Sequence, residues 1–301
     1  MRLFLIIIII ISTLTTIVFA NSGINYNFLN IQKKYFSKEE LPKLYPYPVK
    51  IGNSTSPPQI LARSAVVIDT KTGITLFEKE PDILHLPAST TKLMTALVSL
   101  ERCSPETVIQ VTALNGEGTL MGLAEGDIIT VQNLLYGLLV ASGNDAAYVL
   151  ANNCSDSYSH FISSMNQKAK ELKMLNTRFE NPAGFDDNLQ RSTARDLAKL
   201  AKVAVANPLI SKIVQTKSIV LTDVTGAKTY YLENINKLLG EVEGLEGVKT
   251  GQTEGSLEIL VTKTTRDGNS LIVAVLGSND RFGESKKLIE WAFENHTWVA
   301  P

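Results

Sequence analysis

Strand-like segments sit at both ends of the folded part of this chain, with helical patterns between them. AVVIDT (65–70) and ITLFEK (74–79) come early, and LEILVTKTT (257–265) and SLIVAVLG (270–277) come late; all are rich in aliphatic and β-branched residues. Two short strands cannot bury a hydrophobic face alone, so the economical solution is one sheet built from both ends, with the helical middle packed on it. With 301 residues and 44% hydrophobic content, the chain can fill a full core. The expected class is α/β in the broad α+β sense.

Local signals agree. Lys71-Thr72-Gly73 separates the first two strands, and glycine supplies the positive φ of a tight reversal; RDGN joins the last two. ESKKLIEWAFEN closes as an amphipathic helix. In the middle, a buried helix is expected from Ser89 through TTKLMTALVSLER, where Leu93, Ala96, Leu97 and Leu100 form one stripe. TVQNLLYGLLVASGNDAAYVLANN reads as two helices broken around Ser142-Gly143-Asn144. Helical character returns at FISSMNQKAKELKML and at TARDLAKLAKVAV, the latter with Ser192 and Thr193 as candidate caps.

The start, MRLFLIIIIIISTLTTIVFANS, has one basic residue, an apolar run and small residues near Ala20. Residues 1–20 are read as a signal peptide or, if uncleaved, an N-terminal membrane anchor; either way the rest is exported. Residues 21–60 are proline-punctuated and read as a linker, whose ~40 residues could reach on the order of 100 Å, leaving 61–301 as the globular domain. Charge is nearly balanced, 29 Lys plus Arg against 30 Asp plus Glu, without a dense basic run, which argues against nucleic acid as a partner. Export would permit a disulfide, but Cys103 and Cys154 are expected to be two small buried hydrophobes at helix ends.

Ser89-Thr90-Thr91-Lys92 places a hydroxyl and an amine three residues apart on one helix face. Serine needs a base, and lysine serves as one only if its pKa falls from about 10.4 towards 7 or 8, a shift of roughly 4 kcal/mol. Burial and a second cation would push it down, while the helix N-terminus offers N–H groups to an oxyanion. Alone the pattern is weak, since about one S-x-x-K arises by chance in a chain this size. Ser142-Gly143-Asn144 likewise has a structural decoy in Ser164-Met165-Asn166, inside a helical run, and Lys249-Thr250-Gly251 has one in the hairpin turn at Lys71. The information is in the order: S-x-x-K at a helix start, S-x-N at a helix break, K-T-G before a strand pair.

That ordered set belongs to penicillin-binding proteins and class A β-lactamases. With its surroundings, LPASTTKLMTAL, LLVASGNDAAYVLA, NPAGFDDN followed by RSTARDLAKLA, GVKTGQT and RFGESKKLIEWAF, the chain resembles the D-alanyl-D-alanine carboxypeptidases, low-molecular-mass penicillin-binding serine peptidases, from about residue 60 to 295. The resemblance implies a β-lactamase/transpeptidase-like fold, an antiparallel sheet with helices on both sides and a helical subdomain. It implies Ser89 as nucleophile, Lys92 as its base and Ser142 as proton relay to the leaving amine. Asn144 would bind the substrate peptide and orient Lys92; Lys249 and Thr250, ahead of Gly251, would receive the terminal carboxylate. The backbone N–H groups of Ser89 and Gln252 would hold the oxyanion. The implied partners are peptidoglycan stem peptides, with β-lactam antibiotics as covalent inhibitors. No metal or cofactor is required, and His85, His160 and His296 lack metal-ligand spacing.

Several points stay open at this level. Arg195 matches a family arginine near the K-T-G lysine, but a surface salt bridge explains it equally well. Tyr45, Tyr47, Trp291 and Trp298 read as packing or linker aromatics. Leu257 stands where the family has glycine, and Gln252 where it has an aromatic or histidine. A D,D-endopeptidase would use the same motifs. A β-lactamase is disfavoured because no E-x-x-L-N segment follows Asn144, and a catalytically silent wall-binding protein because the motifs are intact.

Overall fold

The computed structural model describes residues 45–114 and 117–300. The expected signal peptide or anchor lies outside the described residues, as does the linker up to residue 44. The structure is built from strands β1 (Tyr47–Lys50), β2 (Ser64–Asp69) and β3 (Thr75–Lys79), then a 3₁₀ turn (Ala88–Thr91) running into helix α1 (Lys92–Arg102). Next come β4 (Val108–Gln110), β5 (Ile128–Thr130), α2 (Val131–Leu139), α3 (Asn144–Asn153), α4 (Tyr158–Glu171), α5 (Ala194–Ala204) and α6 (Pro208–Val214). The chain ends with β6 (Ser218–Thr222), β7 (Thr229–Glu233), β8 (Leu245–Thr253), β9 (Leu257–Arg266), β10 (Asn269–Ser278), α7 (Arg281–Asn295) and β11 (His296–Val299).

The early strands β2 and β3 and the late strands β8 to β10 meet in one five-stranded antiparallel sheet of order β3-β2-β10-β9-β8. Alternation along the strands explains its two cores. On β10, Leu271, Val273 and Val275 face α7 and pack with Leu288, Ile289 and Ala292. Ile272, Ala274 and Leu276 point the other way, into the larger core containing Leu93 and Leu97 of α1 and Leu197 and Ala201 of α5. Each such fully buried aliphatic side chain contributes about 1.5–3 kcal/mol. The sheet therefore has helices on both sides, as expected.

Turn chemistry follows the residues. Gly73 has φ +76°, and Asp69 accepts from Thr72 N at 2.7 Å, so the first K-T-G is a hairpin turn. Asp267 and Gly268, at φ +49° and +75°, make the β9–β10 turn. Thr193 caps α5 by accepting from Asp196 N at 3.1 Å, whereas Ser192 pairs through its backbone with His85.

Two expectations change. Residues 45–60 are not a free tether: β1 pairs with β11, Trp291 Nε1 donates to Thr55 O at 3.1 Å, and Ile60 is buried, so the folded unit begins at Tyr45. Cys103 and Cys154 form a disulfide with Cα atoms 5.5 Å apart. Both are buried or partly buried at helix ends, as expected, but the helices are neighbours and their C-terminal ends meet. The bridge thus ties together the helices that begin at Lys92 and Asn144.

Candidate active site

Ser89 lies in the 3₁₀ turn, not in the first turn of a regular α-helix as expected. In 3₁₀ geometry residues three apart eclipse, which places the Lys92 side chain directly against Ser89. Lys92 Nζ is 2.9 Å from Ser89 Oγ, 2.7 Å from Asn144 Oδ1 and 2.7 Å from Ala183 O. Asn144 is held by its other end, Nδ2 donating to Glu117 O at 2.9 Å, so its carbonyl oxygen must face the lysine. A neutral amine has two N–H donors and one lone pair. Asn144 Oδ1 and Ala183 O can only accept, so they take both N–H groups and leave the lone pair for the Ser89 hydroxyl. Lys92 is 0% exposed, and burial foremost, then the charge of Lys249, holds its pKa well below the usual lysine range; Asp145 pulls weakly upward.

Ser142 breaks the chain between α2 and α3 with φ +61°, a left-handed conformation rare for serine. Gly143 N donates to Gly137 O at 2.9 Å, and Asn144 N to Thr119 O at 2.7 Å, fixing this corner. Ser142 Oγ accepts from Lys249 Nζ at 3.0 Å. The decoy behaves as one: Ser164 Oγ donates to His160 O on its own helix, and Asn166 bonds the backbone of Phe179.

Lys249, Thr250, Gly251 and Gln252 lie on β8, the sheet edge beside the 3₁₀ turn. Gly251 is needed for close approach: a Cβ there would lie 3.0 Å from Ala88 Cβ and 3.2 Å from Ser89 N. Gly184 serves the opposite side, where a Cβ would fall 1.9 Å from Ala88 O. Lys249 is 2% exposed, and burial together with the Arg281 guanidinium lowers its pKa to about 7.

Arg281 is the residue that the sequence reading missed. It opens α7, is 8% exposed, and donates through Nη1 to Gly251 O at 2.9 Å, while its Nε has no hydrogen-bond partner among the described residues. A cation in the first helical turn opposes the macrodipole, and that misfit was the available signal. Arg195 is elsewhere, bound to Asp82 at 2.9 Å and Glu78 at 3.1 Å, so the salt-bridge reading holds. Trp291 packs on Phe77 and His296, and Trp298 on Phe293, as packing aromatics.

Ser89, Ser142, Thr250, Gly251, Gln252 and Arg281 line one cleft of about 230 Å³, closed by Thr119 and Ile235. Leu257, which opens β9 after the tight turn that follows β8, sits at φ +56°, a left-handed conformation that favours glycine. The described residues contain no cluster suited to a metal ion.

A cleft-facing serine backed by a buried lysine, beside a cationic pocket on an antiparallel sheet edge, is the equipment of an acyl-transfer hydrolase. The family described as D-alanyl-D-alanine carboxypeptidase matches residues 51–280, and the chain belongs to that family. It is 34% identical over 256 residues to D-alanyl-D-alanine carboxypeptidase DacF of Bacillus subtilis, covering 81% of this chain and 65% of that one. The chain thus spans about two thirds of that relative's length. A D-alanyl-D-alanine endopeptidase of Escherichia coli is 31% identical over 250 residues, 80% of each chain. The crystal structure of a Streptomyces DD-transpeptidase superposes with a TM-score of 0.75 at 31% identity, covering 80% of this chain and all of that one (100%).

Proposed function

We propose that the protein is a serine D,D-carboxypeptidase that removes the terminal D-alanine from peptidoglycan stem pentapeptides. The observation that carries this is the Lys92 amine, buried and hydrogen-bonded so that its lone pair meets Ser89 Oγ at 2.9 Å. Lys92 takes the Ser89 proton as Oγ attacks the penultimate D-alanyl carbonyl, and the N–H groups of Ser89 and Gln252 receive the oxyanion. Ser142, in contact with Lys249, relays the proton taken up by Lys92 to the leaving amine as the peptide bond breaks, so that Lys92 is neutral again and Ser142 keeps its hydroxyl. Lys249, Thr250 and Arg281 hold the terminal carboxylate. Water activated by Lys92 then cleaves the acyl ester, releasing the tetrapeptide and restoring Ser89.

Trimming pentapeptides limits donors for cross-linking, and through that the enzyme would influence wall organisation and cell shape. β-Lactams acylate Ser89 because their strained amide mimics the D-alanyl-D-alanine bond. Such a substrate lies outside the cytoplasm, consistent with residues 1–20 acting as a signal peptide or anchor; among the described residues no helix is long and apolar enough to cross a membrane. The test follows intact mass with benzylpenicillin and D-alanine release from pentapeptide, beside Ser89→Ala. A lasting single adduct and D-alanine release, both absent from the variant, are expected; a wild-type protein that forms no adduct and releases no D-alanine refutes the proposal.

A further inference from the structure

The chain is about equally similar to a relative named a carboxypeptidase and to one named an endopeptidase, at 34% and 31% identity, so overall likeness does not separate those reactions and the cleft wall has to be read directly. Both attack the same kind of carbonyl and differ in the leaving residue. In a pentapeptide it is alanine, whose side chain is a methyl group. In a cross-link, the side chain of the leaving residue carries a second stem peptide.

Resting on the carboxypeptidase reading, the leaving residue's amine lies at Ser142 and its carboxylate at Lys249, Thr250 and Arg281. These anchors fix its Cα between them, and its side chain must face what remains of the wall. Among the described residues that line the cleft, Ile235 is the one wholly hydrocarbon side chain. It cannot easily move aside. Asn234 N donates to Lys217 O at 2.8 Å and Asn234 Nδ2 to Thr216 O at 3.0 Å. On the other flank, Asn236 N donates to Asn234 Oδ1 at 2.9 Å and Leu238 N to Asn236 Oδ1 at 3.2 Å. Two asparagines therefore lock the backbone on either side of a β-branched residue whose own rotamer is restricted.

We infer that Ile235 selects a methyl-sized leaving residue, contacting the D-alanine methyl and closing the path a longer side chain would need. It is a specificity residue and takes no part in proton transfer. A hydrophobic contact of one or two methylene groups discriminates by about 10–200-fold, which is the scale to expect.

The full-length protein and its Ile235→Ala and Ile235→Val variants would be assayed on a stem pentapeptide and on a cross-linked peptide dimer, normalised by benzylpenicillin titration of active sites. Ile235→Ala should raise the dimer-to-pentapeptide ratio of kcat/KM by about tenfold, with Ile235→Val near wild type. A loss of fold shows as a lowered benzylpenicillin titre, which the normalisation removes, so the ratio reports only the sites that remain folded. An unchanged or lower ratio in Ile235→Ala overturns the inference, as does a wild-type enzyme that cleaves the dimer as readily as the pentapeptide. Failure of the underlying carboxypeptidase reading would show separately, as no D-alanine released by the wild type.

Discussion

Asp145 touches no part of the cleft, yet replacing it with alanine should disable the site and unfold the protein at lower temperature. Its buried carboxylate accepts from Met121 N at 2.9 Å, Gly122 N at 3.0 Å, Leu123 N at 3.0 Å and Ala146 N at 2.9 Å. The Met121, Leu123 and Ala146 bonds are buried, whereas Gly122 is near enough to the surface for water to replace its partner. Orphaning three buried donors of charge-assisted bonds costs about 1.5–3 kcal/mol each, so the loss is about 5–9 kcal/mol. For a domain of this size that lowers Tm by at least about 10 °C. The segment so anchored also supplies Thr119 O and Glu117 O, which hold Asn144 and through it Lys92. Acylation by benzylpenicillin should therefore slow by about a hundredfold in the folded variant, the usual penalty for a misplaced catalytic group. Removing the carboxylate also removes an upward pull on the Lys92 pKa, so the acid limb of the acylation rate should move to lower pH. Differential scanning calorimetry and stopped-flow acylation test this. A Tm within about 2 °C of wild type, with an acylation rate within about twofold, would refute the claim that Asp145 organises the site.

Three further outcomes are expected. The disulfide closes a sequence separation of 51, so Cys103→Ser should cost about 4 kcal/mol on the chain-entropy account, read as a lowered Tm that reductant no longer changes. Gly184→Ala puts a Cβ 1.9 Å from Ala88 O at a residue with φ +93°, and should destabilise by at least about 2 kcal/mol while slowing acylation; a normal rate would mean that the turn carrying Ser89 is soft. Lys249 is depressed to about 7, so between there and its unfolded value near 10.5 the unfolded chain binds the extra proton. Its contribution to stability therefore rises with pH across that window, and denaturant titrations at several pH values should show a slope that Lys249→Met reduces.

Where one residue type had one job, the sequence was transparent. Ser142-Gly143-Asn144 interrupts an otherwise continuous apolar pattern, and the chain breaks there. Asp267-Gly268 can hardly be anything but a hairpin turn. What stayed hidden depended on distance through space. Cys103 and Cys154 were placed at helix ends, but nothing local says that those two ends touch. Strands β1 and β11 have four residues each and no clear period, and only their pairing makes them strands. Arg195 and Arg281 are both arginines near helix starts, and only the sheet puts Arg281 beside Gly251. The hairpin β6–β7 was overlooked although SIVLT and TYYLE alternate in burial, because a hairpin outside the main sheet has no partner that a strand count requires. The positive φ of Leu257 belongs with these, since only the backbone geometry shows it.

The position of β10 between β2 and β9 also fixes the order in which the molecule can become active during its synthesis. β2 pairs with β10, a strand made some two hundred residues later, so the early hairpin has no inner neighbour until almost the whole chain has emerged. Such pairing across long sequence separations is slow, because loop closure precedes any gain from the contacts. Ser89 and Lys92 can be placed early by their own helix, but β8 cannot be seated beside them until β9 and β10 arrive. The chain is therefore kept from premature chemistry by topology alone, because its cleft cannot exist until the last strands of the sheet are made.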